Sequence, residues 1–415
     1  MTFRRTCTLL TVVAAAVTGL SAQSTSSLVD RAAALHRAAH VIDGHNDYPW
    51  ALREKSPGRD LNVLDIRQPQ PSLMTDIARL RAGGVGGQFW SVYVPATMQG
   101  KEAVRATLEQ IDVVHRMVAK YPETLALART ADDVERAFKA GKIASMIGME
   151  GGHSIDSSLA ALRMMHALGA GYMTLAHSKN VPWADSATDK PVLGGLSPFG
   201  EQVVREMNRL GMLVDLSHVS ADSMADAIRV TRAPVIFSHS SARAVCPHPR
   251  NVPDEILKLL PANGGIVMVT FVPSFIAPAG GANYQEEYAA FDKLQEEYAG
   301  EPAKLRAALA EYRKTHPAPK ATLSMVADHI DHIRKVAGID HIGLGGDFDG
   351  IDTVVEGLED VSKYPALTAE LLRRGYGDED IKKILSLNIL RVIRKAEAVA
   401  SGLKSEPPSV ALLQN

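Results

Sequence analysis

The sequence predicts an α/β protein, a (β/α)8 TIM barrel with one helical insertion after its seventh strand. Eight short apolar runs alternate with amphipathic segments along the chain. Strands separated by helices pair in parallel through right-handed crossovers, and eight such units close a barrel. A doubly wound open sheet is the alternative fold. It is disfavoured because no glycine-rich dinucleotide fingerprint follows the first strand.

The composition is that of an ordinary globular protein. The chain has 415 residues, a formal net charge of −2 and 46% hydrophobic residues, and α/β barrels often use this length in a single domain. Because the chain has no basic stripe, we do not expect nucleic-acid binding. The predicted boundaries are 1–22 for an export signal peptide, 23–400 for the barrel and 401–415 for a flexible tail.

The N-terminal residues have the pattern of a cleaved export signal. Arg4 and Arg5 precede an apolar stretch from Leu9 to Val17, and small residues lie just before Gln23. This stretch is shorter than the roughly 20 residues that span a bilayer, and the C-terminal residues lack the apolar tail of a glycolipid-anchor signal. We therefore expect an exported protein, periplasmic or secreted, without a stable membrane anchor. General secretion and twin-arginine export both remain open.

The strands are predicted from apolar runs and the helices from apolar residues at helical spacing. The predicted strands are Val41–Gly44, Gly87–Val94, Ile143–Met149, Tyr172–Leu175, Leu213–Leu216, Val235–Phe237, Ile266–Phe271 and Ile342–Leu344. Ser197 followed by Pro198 is typical of a helix start, and Gly211 of a helix end. The predicted helices are Leu73–Arg81, Ala103–Ala119, Ala131–Ala140, Leu159–Leu168, Pro198–Leu210, Ala221–Val230, Asp254–Leu260 and Met325–Val336.

One connection is much longer than the others. Between the seventh strand and the next helix, residues 277–321 form a charged stretch whose apolar spacing predicts an added helical hairpin. Because the connection follows a strand, it belongs to the C-terminal face of the barrel, where such barrels carry their active sites. A lid, a subunit contact and a solvated excursion of the surface are all compatible with this pattern.

Residue types that bind metals follow six of the eight predicted strands. The C-terminal ends of these strands form the mouth of a barrel, where catalytic groups collect. A single histidine at a strand end is usually a hydrogen-bonded structural residue, but the repetition favours convergence on one site. In chain order these residues are His45, Asp47, Glu150, His153, His177, His218, His239, Asp347 and Asp349.

Five of these residues are enough to bind two metal ions. His45 and Asp47 are two positions apart on a strand and therefore project from the same face. Together with Glu150, His218 and His239 they exceed the three protein ligands of a single catalytic zinc. Two ions roughly 3.5–4 Å apart, bridged by Glu150, would lower the pKa of water to about 7 and make it nucleophilic. The sequence thus indicates metal-dependent hydrolysis.

The same segments resemble those of the membrane dipeptidases (renal dipeptidase, peptidase family M19), which are metal-dependent amidohydrolase barrels. The resemblance, to an exported member of bacterial type, extends from about Val41 to Val399. It implies hydrolysis of dipeptides with a free C-terminal carboxylate, including L,D-dipeptides, and a homodimer. The matching segments are Ile42–Asp47, Glu150–Ile155, Leu175–Ser178, Asp215–Ser220, Phe237–Ala242, Arg250–Asp254, Gly345–Gly350 and Gly357–Ser362.

The resemblance also implies a zinc centre with defined ligands. One zinc ion would bind His45 and Asp47. A second would bind His218 and His239, and Glu150 and a hydroxide would bridge the two ions. The chain would therefore carry two zinc ions.

Three further residues have catalytic or substrate-binding roles by resemblance. His177 would polarise the scissile carbonyl and stabilise the oxyanion, and Arg250 would bind the substrate carboxylate with its planar fork. Asp347 would take the proton of the hydroxide and pass it to the leaving amine. This transfer is chemically reasonable because a peptide amine is a poor leaving group and needs a general acid.

Two positions depart from the family pattern. Lys179 occupies the position of a disulfide cysteine of the vertebrate members, so that disulfide is not expected. Phe275 stands where the family can offer a tyrosine hydroxyl to the substrate. The preference for substrate side chains is therefore expected to differ.

Two other functions remain open from the sequence. Another amidohydrolase activity, on N-acyl amino acids or lactones, would use the same metals, but Arg250 argues against substrates without a carboxylate. A non-catalytic binding scaffold is disfavoured because a buried cluster of acids and imidazoles is costly to keep without a use.

Among the remaining candidate residues, we predict a solvated helix face for His329 and His332. Trp183 is predicted either to line the pocket or to pack in the core.

Overall fold

The structure is a computed structural model that describes residues 27–414 apart from Asn283. The predicted export signal lies outside these residues. No helix within the described part of the chain is long and apolar enough to cross a membrane.

Nine parallel strands form one sheet, and eight of them close a barrel as predicted. They are β1 (Val41–Asn46), β2 (Val85–Ser91), β3 (Leu125–Leu127), β4 (Ile143–Met149), β5 (Ala170–Thr174), β6 (Leu213–Asp215), β7 (Ile236–Ser240), β8 (Ile266–Val269) and β9 (Ile342–Leu344). β1 pairs with β2 and with β9, and the pairing of β2 with β4 completes the barrel. The ends of the eight predicted strands differ from these by no more than three residues.

The additional strand β3 was not predicted. It pairs with the first three residues of β4, whereas β5 pairs with the last three, so β3 is not one of the eight barrel strands. Its sequence, Leu-Ala-Leu, is too short to show an alternation, which is why the pattern did not indicate it.

Helices surround the barrel. They are α1 (residues 27–38), α2 (Tyr48–Lys55), α3 (Ile77–Ala82), α4 (Gly100–Lys120), α5 (Ala131–Lys139), α6 (Leu159–Ala167), α7 (Pro198–Leu210), α8 (Ala221–Val230), α9 (Asp254–Leu257), α10 (Leu260–Asn263), α11 (Pro273–Ile276), α12 (Tyr284–Glu297), α13 (Pro302–Thr315), α14 (Leu323–Val336), α15 (Tyr364–Arg373), α16 (Asp378–Lys382) and α17 (Asn388–Gly402). The helix predicted over 254–260 is instead divided into α9 and α10. Pro261 lies in the first turn of α10 and, because it has no N–H group, cannot continue a hydrogen-bonded helix from α9.

The predicted helical insertion consists of α12 and α13. Gly300, in the connection between them, has a φ of +79°, a conformation that glycine adopts without strain. The insertion follows β8, which is the seventh strand of the barrel. It therefore begins at the C-terminal face, as predicted.

The C-terminal residues contact the outer helices. α17 passes the predicted boundary at residue 400 and ends at Gly402. Further on, the backbone N–H of Ser409 donates to Glu206 of α7 at 3.3 Å, and Arg163 of α6 donates to the Ser409 carbonyl at 3.1 Å. The division of the chain at residues 22 and 400 remains a prediction.

Candidate active site

The structure brings the eight predicted site residues together at the C-terminal end of the barrel. A cavity of about 410 Å³ opens there. Six of the eight line this cavity, and His45 and His239 lie next to it in contact with Glu150. The six are Asp47, Glu150, His177, His218, Arg250 and Asp347.

Glu150, directly after β4, is at the centre of the cluster. Its Oε2 lies 3.3 Å from Nε2 of His45, whereas its Oε1 lies 3.0 Å from Nε2 of His218 and 3.5 Å from Nε2 of His239. The Ser91 hydroxyl donates to Oε2 at 3.1 Å and helps to fix the carboxylate. The two oxygens therefore face different histidines, which is the orientation that a carboxylate bridging two ions requires.

The hydrogen bonds around His45 leave its Nε2 free to bind a metal. The Tyr172 hydroxyl donates to the Gly44 carbonyl at 3.1 Å and therefore accepts from Nδ1 of His45 at 2.9 Å. Such a partner fixes the tautomer and the orientation of a metal-binding histidine. The neutral form of His45, with its proton on Nδ1, presents an unprotonated Nε2 to Glu150.

His239 is oriented by an equivalent set of contacts. The Ser238 hydroxyl donates to Asp215 at 2.7 Å and therefore accepts from Nδ1 of His239 at 2.8 Å. Nε2 of His239 is then unprotonated, and it lies 2.9 Å from Nε2 of His218. Two ring nitrogens from different strands thus point at the same space.

Several buried polar atoms of the cluster have no hydrogen-bond partner within residues 27–414. They include Nε2 of His45, Oδ1 of Asp47 and Nδ1 of His218. Leaving a buried polar group unpaired costs about 1–3 kcal/mol, and a cation held by Nε2 of His45 and the Asp47 carboxylate would offset this cost. Imidazole and carboxylate donors are the ligands that zinc uses in proteins.

Among the described residues, three sets of donor atoms lie close enough to hold an ion, with the atoms of each set within 4.8 Å of one another. Glu150 belongs to two of them, and His45 belongs to two. The sets are His45 with Glu150 and His239, Glu150 with His177 and His218, and His45 with Asp47 and Asp347. The residues present therefore fit a pair of metal ions, although His239 groups here with His45 rather than with its predicted partner His218.

The electrostatics of the cluster favour ligand-competent forms of His218 and His239, whereas, against the effect of burial, the nearby Tyr172, Glu150 and Asp47 raise the pKa of His45 well above the usual histidine range. Burial lowers the pKa of His218 and of His239 well below the usual histidine range, and the positive charge of Arg250 contributes to both shifts. Both imidazoles are therefore neutral, which is the form that binds metals. Burial raises the pKa of Asp347 well above the usual range, and the nearby carboxylate of Asp47 adds to the shift.

Left-handed backbone conformations aim two of the predicted residues into the site. His218 and Asp347 have φ values of +70° and +62°, which are uncommon for residues other than glycine and are concentrated at functional sites. The glycine at position 350 is required by the close approach of two carboxylates. A Cβ atom there would lie 2.3 Å from Oδ2 of Asp47 and 2.5 Å from Oδ1 of Asp347.

Arg250 is fully buried without an acidic partner. It donates to the Ser240 hydroxyl and to the His239 carbonyl, each at 3.3 Å, and its guanidinium lies 5.1 Å from the ring centre of Phe275. Its Nε has no partner, and no carboxylate is within ion-pair distance among the described residues. A buried guanidinium of this kind is prepared for an anionic group of a ligand.

His177 lies in the cavity wall beside the metal cluster. Its ring stacks on that of His218 with centroids 4.1 Å apart, and its Nε2 is 3.4 Å from Oε1 of Glu150. Nδ1 is 3.2 Å from the Ser178 hydroxyl. The ring can therefore present a polar nitrogen to a group bound in the cavity.

The sequence analysis missed Tyr172, Ser238 and Ser91, whose hydroxyls contact His45, His239 and Glu150, respectively. They act through contacts between strands, which no local pattern reveals. The sequence marks the position of Tyr172 only indirectly, through the glycine at position 148. A Cβ atom at Gly148 would lie 2.1 Å from Cζ of Tyr172. The missing side chain leaves room for the tyrosine ring that orients His45.

Three of the remaining sequence candidates are structural. The prediction of a solvated face for His329 is wrong, because its ring is fully buried and hydrogen-bonded to the backbone of Ala242 and Ile276. Trp183 is also fully buried and packs edge-on against Phe199, outside the cavity. His153 is buried with Nε2 3.1 Å from the Val94 carbonyl.

Comparison with known proteins agrees with this geometry. A family model described as membrane dipeptidase (peptidase family M19) matches residues 29–407. Dipeptidase 3 of Rattus norvegicus is 43% identical over 388 residues, which are 92% of this chain and 70% of that protein. Dipeptidase verJ of Clonostachys rogersoniana is 40% identical over 375 residues, 88% of this chain and 86% of that protein.

A solved structure shows the same architecture. The probable dipeptidase PvdM from Pseudomonas aeruginosa superposes with a TM-score of 0.75 at 27% sequence identity, covering 90% of this chain and 100% of that one. The resemblance predicted from the strand-end motifs is thereby confirmed. The chain belongs to the membrane dipeptidase family, peptidase family M19.

Proposed function

We propose that the protein is a binuclear zinc peptidase that hydrolyses dipeptides with a free C-terminal carboxylate, including L,D-dipeptides. The observation that carries this proposal is the pairing of two features in one cavity. Glu150 faces different histidines with its two oxygens, and Arg250 is a buried cation without a carboxylate partner in the described chain. Both relatives are named as dipeptidases, which supports the same substrate class.

The chain holds the metals with donors from several strands. His45 and Asp47 would hold one zinc ion and Glu150 would contribute to both sites, while His218 and His239, whose Nε2 atoms lie 2.9 Å apart, would hold the other. When bound, the two ions polarise the substrate carbonyl and lower the pKa of water to about 7. The neutral imidazoles and the fixed Glu150 carboxylate are already arranged for this task.

The other residues bind the substrate and move its proton. Arg250 binds the terminal carboxylate through its planar fork, and His177 donates a hydrogen bond to the carbonyl oxygen as negative charge develops there. Asp347 accepts a proton from the attacking water and transfers it to the leaving amine. A carboxyl group with a raised pKa suits this role, because it holds the proton long enough to act as an acid.

The location and assembly of the protein form part of the same proposal. Residues 4–22 have the pattern of an export signal, so we propose a periplasmic or secreted enzyme that acts on small peptides outside the cytoplasm. A homodimer is proposed from the family resemblance alone.

Replacing Asp347 with asparagine tests the mechanism. Asp347→Asn keeps a polar side chain of the same size but cannot carry the proton, so we expect zinc content to be retained and kcat to fall by about 10²–10⁴-fold. The measurement is release of free amino acids from a panel of L,L- and L,D-dipeptides, with bound zinc determined in parallel. Asp378→Asn, on α16 and paired with Arg31 at the surface, is the control and should match the wild type.

The outcomes of this experiment separate the candidate functions. Unchanged turnover in Asp347→Asn would remove the residue from proton transfer. No dipeptide turnover by the zinc-loaded wild type would favour another amidohydrolase substrate, such as an N-acyl amino acid, whose carboxylate Arg250 can also bind, or a lactone. Absence of bound zinc after mild purification and reloading would favour a non-catalytic scaffold.

A further inference from the structure

One face of α12 points into the catalytic cavity. Tyr284, Tyr288, Phe291 and Gln295 are spaced by four, three and four residues, which places them on one side of a helix. Three of them, from Tyr288 to Gln295, line the cavity, and Tyr284 packs against the ring of His248 with centroids 5.5 Å apart.

α13 contributes a second stripe to the same cavity. Leu305 and Leu309, one turn apart, line it together with Arg306 and Arg313. None of the residues whose burial is described in the two helices is fully buried. The apolar sides of this hairpin therefore cover the catalytic cavity instead of joining the core of the barrel.

Ion pairs hold the hairpin across the mouth of the barrel. Lys179, in the loop after β5, pairs with Asp292 of α12 at 2.5 Å, and Glu54 of α2, after β1, pairs with Arg306 of α13 at 3.9 Å. β5 and β1 are well separated in the closed order of strands. The hairpin is thus attached on both sides of the opening.

The inner face carries both charged and apolar groups, and Nη1 of Arg306 is a buried atom without a hydrogen-bond partner among the described residues. Arg306 pairs with Glu54, and Arg313 pairs with Glu287 of α12. The ring of Phe291 and the aliphatic groups of Leu305 and Leu309 line the cavity together with the candidate catalytic residues. They offer a substrate apolar contact beside these charged groups.

We propose that the inner face of the α12–α13 hairpin is the binding site for an apolar side chain of the substrate. The inference rests on the proposed dipeptidase function and adds a substrate class to it: dipeptides with at least one large apolar residue. Phe275 lines the same cavity, and its ring lies 5.1 Å from the guanidinium of the carboxylate-binding Arg250, so it would contact such a side chain together with the hairpin. Contact with apolar groups determines this preference because burying them removes apolar surface from water.

The test compares two neighbouring substitutions on α12. Phe291→Ala removes an inner-face ring, whereas Leu294→Ala removes a side chain of the same helix that does not line the cavity. The readout is the ratio of kcat/KM for Leu- and Phe-containing dipeptides to that for Ala-Ala, in Xaa-Ala and Ala-Xaa series. We expect a wild-type ratio well above one that falls about tenfold or more in Phe291→Ala and is retained in Leu294→Ala.

Each outcome bears on a different claim. Dipeptide hydrolysis with no preference for apolar residues, or with the same ratio in both variants and the wild type, would overturn the hairpin site and leave the dipeptidase function standing. A fall in the ratio of equal size in both variants would assign the effect to loosening of the hairpin and also overturn the proposal. Failure of the zinc-loaded wild type to hydrolyse any dipeptide would overturn the proposed function and this inference with it.

Discussion

Arg250 is the side chain on which the proposed substrate class most depends. Its guanidinium is removed from water yet has only neutral partners, the Ser240 hydroxyl and the His239 carbonyl, at 3.3 Å each. Burying a charge without a counter-ion is costly. Under the proposed function a substrate carboxylate completes this arrangement, which would restrict the cavity to ligands that carry a free carboxylate.

Replacement of Arg250 tests this role. For Arg250→Ala we expect KM for dipeptides to rise by about 10- to 100-fold, since hydrogen bonds to charged groups contribute about 1.5–3 kcal/mol. Dipeptides amidated at the C-terminus lack the carboxylate, so the substitution should lower their kcat/KM much less. The measurement is kcat/KM for each peptide and its amide, and an equal loss on both would contradict carboxylate binding.

The candidate site residues were more predictable than the side chains that position them. His45, Glu150 and His218 follow apolar runs, so the strand-end rule of barrels finds them. Tyr172 and Ser238 lie within runs that resemble core strands. Their hydroxyls reach metal-binding histidines only because neighbouring strands pair in the observed register, and the sequence does not encode that register locally.

Elements were predicted well where their ends carry chemical markers. α7 has the predicted bounds because Ser197 caps its first turn and Gly211 ends it with a φ of +79°. α14 was predicted as a helix, but the face that it buries was not. His329 packs inward between Ala242 and Ile276, and helical spacing alone does not say which neighbours cover a polar side chain.

The buried ring of His329 predicts sensitivity of the fold to acid. Burial lowers its pKa to about 4, and Nδ1 accepts from the Ala242 N–H while Nε2 donates to the Ile276 carbonyl. Protonation of Nδ1 would place a second N–H group against the Ala242 N–H, so this hydrogen bond would be lost. The unfolded state, with a histidine pKa of about 6.5, binds the proton first, so this contribution to stability is complete above pH 6.5 and is lost as pH falls towards 4.

The pH dependence of unfolding measures this contribution. Between pH 6.5 and 4, the free energy of unfolding should fall less steeply with decreasing pH in His329→Gln than in the wild type. The two slopes should differ by up to about 1.4 kcal/mol per pH unit, the contribution of one proton. The comparison is with wild-type protein in denaturant titrations at several pH values. Parallel curves for the two proteins would show that His329 is not the group that takes up the proton.

Across the whole molecule, barrel closure assembles the site from residues far apart in the chain. β1 lies beside β9, which places His45 and Asp47 next to Asp347. The topology was predictable from alternating strands and helices, and convergence of the strand ends followed from it. The hairpin was predicted to lie on the C-terminal face, but its contacts and the grouping of donors within the cluster were not predictable, because both depend on contacts between segments that are distant in sequence.

The measurement that tests the central claim most directly is a zinc titration of chelator-stripped protein. Bound zinc and hydrolysis of L-Ala-L-Ala would be followed together, with Glu150→Gln as the matched variant. We expect activity to reach its maximum at two zinc ions per chain, and Glu150→Gln, which loses the bridging charge, to bind less zinc and to lose activity. Full activity of the stripped protein, or saturation at a single ion, would contradict a binuclear metallopeptidase.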